Sequence, residues 1–253
     1  MPFFDEHDEP LTRIFLVQRT PRLFQLVRPI SFLEAGRPET ERVRVPAHEI
    51  DAPPVGANAT DLASVPTFLW GLIASYGRQT SAALLHDYLS GKARRGDPPT
   101  GIRRRREADR LFGVALVESG VPRLRARIMR SYVSIEKFAE FRRWQALLMV
   151  AHAVLGVLSI YAAIGMAFGW YPDAPWWMLV LLLAPAASSV LWWRDAPAML
   201  VITYTGAVLT PFMIVAALGQ VVLLALEGAL WLVTGARAPA PVIGPTILAR
   251  RRP

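Results

Sequence analysis

The chain has no cysteine. Disulfides and thiolate metal sites are excluded, and a reducing compartment fits. Charge is scarce in the second half: residues 145–253 carry five Lys and Arg and three Asp and Glu, against 23 and 17 in residues 1–144. With 53% hydrophobic residues and a mean hydropathy of +0.31, this excludes an ordinary soluble protein and predicts membrane-spanning segments. The N-terminus, MPFFDEHDEP, lacks both a basic leader and an apolar core, so no signal peptide is expected. No internal repeat is evident.

What charge there is comes out basic, with a net +8 placed mostly before residue 145. A basic domain beside a membrane favours anionic lipid headgroups or nucleic acid as neighbours. Cytoplasmic retention of the domain is the commoner cause of such a bias. The run Arg103–Arg106 has no aromatic interleaving, so nucleic-acid binding by base stacking is unsupported.

Residues 13–18, 23–33 and 42–46 are short runs of β-branched and aromatic residues, punctuated by Pro21, Pro29, Gly36 and Pro38. They predict a small antiparallel meander, with Pro29 breaking the second strand or placing it at an edge. Ser64-Val65-Pro66 can open a short helix through Trp70. A helix capped by Thr80 or Ser81 should then run to about Gly91, and residues 92–101 read as a loop. A second helix is expected from Ile102 to Glu118. A third follows Pro122, with Leu124, Ile128, Tyr132, Ile135 and Phe138 inward and Arg123, Arg125, Arg127 and Arg130 outward. Those arginines could lie on anionic lipid, although a solvated face is commoner.

After Trp144 the composition changes. Residues 146–168 and 176–193 are each long enough to span, and 197–234 contain one formal charge, Glu227. That last run predicts either two spans turning near Gly219-Gln220 or one long bent span. Arg142, Arg143, Arg194 and the tail Arg250–Arg252 place the domain and tail in the cytoplasm, while the loop 169–176 has no basic residue. An even number of crossings satisfies this, so four spans are preferred.

The segment Thr60–Phe112 carries the candidate chemistry. His86 and Asp87 sit among Ala82, Ala83, Leu84, Leu85 and Leu89, with Asp61 upstream and Asp109 downstream. Ionisable groups in so apolar a helix need partners. Antiparallel helices can bring His86 and Asp109 face to face, the carboxylate fixing the tautomer and leaving the other imidazole nitrogen as a base. Asp87 points about 100° round the helix and is free, with Asp61, to bind a hard cation such as Ca²⁺. A structural alternative makes both Asp87 and Asp109 partners of arginines and His86 a hydrogen-bonded core residue. An HD-type phosphohydrolase needs a further upstream His on a helix. His48, the one candidate, sits in strand-and-loop sequence. His152 could relay protons, but more often such a residue is hydrogen-bonded to a neighbouring helix.

The motifs Val45-Pro46-Ala47, Thr60 to Pro66 (TDLASVP), Ala83 to Leu89 (ALLHDYL) and Arg105 to Phe112 resemble a family of unknown function common in phage and prophage proteins. The resemblance runs from about residue 13 to residue 132 and brings little established chemistry; together with the apolar second half it leads to the expectation of an accessory protein of phage or prophage origin acting at the envelope, with a phage or envelope protein as partner. The HD pair with an Asp on the next helix is also similar to secreted phospholipases A2. That resemblance implies His86 as general base, Asp87 as Ca²⁺ ligand and Asp109 as orienter, with Asp61 supplying a further carboxylate. The glycine-rich calcium loop of that family is missing, its disulfides are excluded, and Ser90 stands where those enzymes usually have Tyr.

The expected architecture is therefore α+β. A small meander and helical hairpin or bundle (1–144) precede a transmembrane region of three or four helices (145–236) and a basic cytoplasmic tail (237–253). The expected protein is a multi-pass inner-membrane accessory protein of phage type. The alternative is a Ca²⁺-dependent ester hydrolase acting on membrane lipid.

Overall fold

Proline has no N–H to give a sheet ladder. In the computed structural model the second apolar run accordingly breaks around Pro29. The structure describes residues 2–20, 23–47, 59–60, 77–171 and 175–235. Its strands are β1 (Phe3–Phe4), β2 (Leu16–Thr20), β3 (Leu23–Leu26), β4 (Ile30–Phe32), β5 (Val43–Val45) and β6 (Ala59–Thr60). They form two antiparallel sheets, ordered β1-β4-β5 and β2-β3-β6, where a single meander was expected. Pro29 lies between β3 and β4, which belong to different sheets. Buried Phe3, Ile30, Phe32 and Val45 make the core of the first sheet, with the Phe3 and Phe32 rings 5.0 Å apart.

Three helices follow: α1 (Thr80–Arg94), α2 (Pro98–Glu118) and α3 (Arg123–Phe141). The 92–101 loop is shorter than its composition suggests. Asp97 caps α2 by accepting from the Thr100 N–H, and Pro98 and Pro99 occupy first-turn positions where a missing N–H costs nothing. Arg103–Arg106 thus lie beyond the first turn of α2, and α1 runs past Gly91 to Arg94. Gly120, at φ +82°, takes the left-handed conformation that lets Val121 N–H close back on Leu116 O and turn the chain into α3. Gly101 allows α2 and α3 to approach, since a Cβ there would sit 2.5 Å from the Phe141 ring.

After Arg142, where the backbone leaves helical geometry, α4 (Arg143–Ala167) begins. Residues 176–193 are not the expected spanning helix. They form 3-10 turns at Trp176–Leu182 and Val190–Asp195 around a short α5 (Ala184–Ser189) with Pro185 in its first turn. This segment runs back along α4: Ser159 Oγ reaches Leu181 O at 3.3 Å, and His152 meets Ser188 and Trp192. The run that could hold two spans is one continuous helix, α6 (Ala196–Val233), which passes through Pro211 and Gly219. The expected three or four spans therefore do not appear as separate helices. Two helical stretches, 143–167 and 176–233, are long and apolar enough to cross a membrane.

The chain divides into two compact units, residues 1–63 with 76–207, and residues 64–75 with 208–253. In the first, Phe138, Ala146, Met149 and Met199 form a buried cluster joining α3, α4 and the start of α6. Gly156 marks a close approach of α4 to α5 and α6, because a Cβ would lie 2.5 Å from Thr203 Cγ2 and 3.2 Å from Pro185 Cβ. The missing Cβ is what admits so close a contact. In the second unit the described residues continue α6, with Val208, Phe212, Val215, Leu218, Val222 and Leu226 all exposed.

Candidate functional site

α1 and α2 pack side by side, and each buries an apolar stripe against the other: Ala82, Leu85 and Ala93 on α1, Ile102, Ala108 and Phe112 on α2. Packing those stripes brings His86 and Asp109 together in the interior, where His86 is 4% and Asp109 2% exposed. His86 Nε2 lies 3.0 Å from Asp109 Oδ1, and the Phe112 ring lies 4.8 Å from the imidazole. A carboxylate can only accept here, so Nε2 carries the proton. The other nitrogen, Nδ1, lies 4.0 Å from Asp87 Oδ1. The imidazole therefore stands between two carboxylates, one in contact and one more distant.

Asp109 serves more than the histidine. Arg105 Nε approaches its Oδ1 at 3.5 Å from one turn earlier on α2, and Lys137 Nζ of α3 lies 3.8 Å from its Oδ2. Arg105 is wholly buried and donates to Glu136 at 2.7 Å. Lys137, 2% exposed, donates to Asp195 at 2.6 Å, and Arg106 reaches the other Asp195 oxygen at 3.1 Å. Glu140 accepts from Arg94 of α1 at 2.7 Å. Arg94, Arg105, Arg106 and Lys137 thus meet Asp109, Glu136, Glu140 and Asp195, four cations against four carboxylates. Such compensation is what burial of charge requires.

This arrangement unites His86 with Asp109 as the sequence predicts. Asp87 faces away from that contact, and its Oδ2 accepts the Thr60 hydroxyl of β6 at 2.5 Å. Asp61, His48, the short helix from Ser64 to Trp70 and the arginine tail lie outside the described residues. Of the two carboxylates expected to bind calcium, Asp87 and Asp61, only Asp87 is among the described residues. Among the described residues, no three His, Asp or Glu side chains gather closely enough to hold a metal ion. Calcium takes six to eight oxygens.

Arg105, Lys137, Glu136 and Asp195 escape a linear reading. Arg105 looks like one more member of a solvated basic run, and Asp195 stands 58 residues from Lys137. The available signal was spacing: Arg105 and Asp109, like Glu136 and Glu140, are four apart and share a helix face.

His152 is fully engaged. The Trp192 indole, which can only donate, gives its proton to Nδ1 at 3.2 Å, so Nε2 carries the proton toward Ser188 Oγ, also at 3.2 Å. Ser188 Oγ donates onward to Ala184 O at 2.8 Å. This chain ties α4 to the returning segment.

Residues 44–133 match a family described as a protein of unknown function (DUF1353). The matched segment runs from β5 into α3 and includes His86, Asp87, Arg105 and Asp109, whereas Glu136, Lys137, Glu140 and Asp195 of the polar cluster lie beyond it. The chain has no significant match to a curated protein or to a solved structure.

Proposed function

We propose that this chain is a membrane-anchored accessory protein of phage or prophage type, whose folded domain is mounted rigidly on its membrane segment. The observation that carries the reading is the double contact of Asp195 with Lys137 and Arg106. Asp195 stands where the returning segment meets α6, while Lys137 and Arg106 belong to the domain helices. A buried charge there has no substitute partner in a lipid-facing segment, so the contact fixes one register between domain and anchor. Arg142, Arg143 and Arg194 support a cytoplasmic domain, and the connection at 168–175 belongs outside. Reporter fusions at residue 1 and at Pro172 in the full chain test the orientation. An external signal at residue 1, or a cytoplasmic one at Pro172, rejects it.

A second reading is favoured by the His86–Asp109 contact, which is the geometry of a base with its orienting carboxylate. In it the domain is a phospholipase A2-like ester hydrolase acting on membrane lipid, and His86 Nδ1 takes the proton from an attacking water. The test is fatty-acid release from mixed phospholipid vesicles by the full chain, with and without calcium, beside the His86→Asn variant. Release that this substitution abolishes, with the melting temperature unchanged, establishes the hydrolase. Equal background in both removes it.

A further inference from the structure

We infer that the N-terminal half of α3 is a membrane-surface helix, seating Leu124 at the acyl boundary and Arg123, Arg125 and Arg127 on anionic phospholipid headgroups. This rests on the reading of α4 and α6 as membrane-embedded, and it makes lipid a partner of the folded domain as well as of the anchor.

Successive residues turn 100° round a helix, so Leu124, Ile128, Tyr132, Ile135 and Phe138 form one stripe along α3. Its C-terminal end is covered by the membrane segment. Phe138 packs with Met149 of α4 and Met199 of α6, and Tyr132 Oη lies 3.5 Å from Thr205 Oγ1 of α6. The stripe therefore faces the side on which those helices lie. Toward the N-terminus its cover ends: Ile128 is half-buried and Leu124 is 71% exposed, although the sequence pattern predicts it inward. A single exposed leucine is ordinary. Here it prolongs a stripe whose other end is packed on the anchor.

The charges beside that end have a matching distribution. Arg125 projects on one side of the stripe, and Arg123 and Arg127 on the other, all three exposed. Among the described residues no carboxylate pairs with any of them. The acids of α3 itself, Glu136 and Glu140, sit at its other end and are engaged by Arg105 and Arg94. Unpaired arginines flanking an exposed apolar strip are the arrangement by which a helix lies in a bilayer interface. The guanidinium fork suits phosphate oxygens.

The cysteine-free chain makes the test direct. Leu124→Cys and, as a control on α4, Leu155→Cys are each labelled with a fluorophore, and the full chain is reconstituted in phosphatidylcholine vesicles with or without phosphatidylglycerol. Quenching by nitroxide lipid and by aqueous iodide is then read. The expected result is lipid quenching at 155 in both compositions and at 124 only with phosphatidylglycerol. Each arginine replaced by Gln at 123, 125 and 127 should lower the seated population ratio about fivefold. Lipid quenching at 155 but never at 124 overturns the inference while leaving the membrane reading intact, whether iodide reaches 124 or a protein surface shields it. Equal quenching at 124 without phosphatidylglycerol, or in the triple variant, removes the headgroup contact. Displacement of the 124 probe from lipid by a DNA duplex would assign the face to nucleic acid instead. No lipid quenching at either position rejects the membrane reading and this one with it.

Discussion

Lys137 Nζ lies 2.6 Å from Asp195 Oδ1, joining the last third of α3 to the residue that precedes α6. Both side chains are largely withdrawn from water, and Arg106 closes on the second carboxylate oxygen. Removing one member of such a group strands the others, whereas replacing opposed charges together removes the desolvation cost as well.

Asp195→Asn should therefore destabilise the full chain by about 3–5 kcal/mol. Lys137→Met combined with Asp195→Leu should lose less than the sum of the single changes. Thermal unfolding in detergent, read as a double-mutant cycle, measures the coupling. Additive losses would mean that the contact carries no pairwise energy.

At the His86–Asp109 pair the order of the effects discriminates between readings. If the pair is structural, Asp109→Asn should cost more stability than His86→Asn. The first leaves Arg105 and Lys137 short of a counter-charge, at about 3 kcal/mol or more. The second loses one hydrogen bond, at about 1–2 kcal/mol. Calcium should leave both melts unmoved. A calcium-dependent stabilisation that Asp87→Asn removes would favour the hydrolase reading.

Gly156 offers a packing test with an internal control. Any side chain there meets Thr203 and Pro185, so Gly156→Leu should cost at least about 1–3 kcal/mol through overpacking. Gly228, also helical, has nothing within 4 Å of an added Cβ. Gly228→Ala should instead be neutral or stabilise by up to about 1 kcal/mol. Comparing the two melts separates tight packing from helix propensity.

Acid should weaken the seam between the loop after β4 and α2. Arg110 donates to Glu34 at 2.8 and 3.0 Å and holds that carboxyl below its usual value. A depressed folded-state pKa contributes stability that is complete above the unfolded value, about 4.3. That contribution is lost as pH falls through the lower folded value. The pair is partly exposed, so about 0.5–1 kcal/mol is at stake. Glu34→Gln should flatten the stability profile below pH 4.3 and leave its shape at neutral pH unchanged. A profile identical to wild type in acid would remove Glu34 from the account.

The sequence by itself determined the elements whose cause is local. Pro29 had to interrupt the strand run because it lacks an N–H, and the charge-poor stretch after Trp144 gave helical stretches long and apolar enough to cross a membrane. The juxtaposition of His86 with Asp109 was also legible, since the apolar stripes of two neighbouring helices must face each other to be buried. Tertiary structure alone decided what depends on helix phase and on contacts far apart in the chain. It selected Arg105 for the interior while Arg103 and Arg104, identical neighbours in sequence, stayed exposed. It brought Asp195 to Lys137 and Arg106, and it left Leu124 uncovered at the end of a stripe buried elsewhere. Residue type and spacing fix which face of a helix is apolar. Which part of that face meets protein, and which charge goes in with it, follows from how the helices dock.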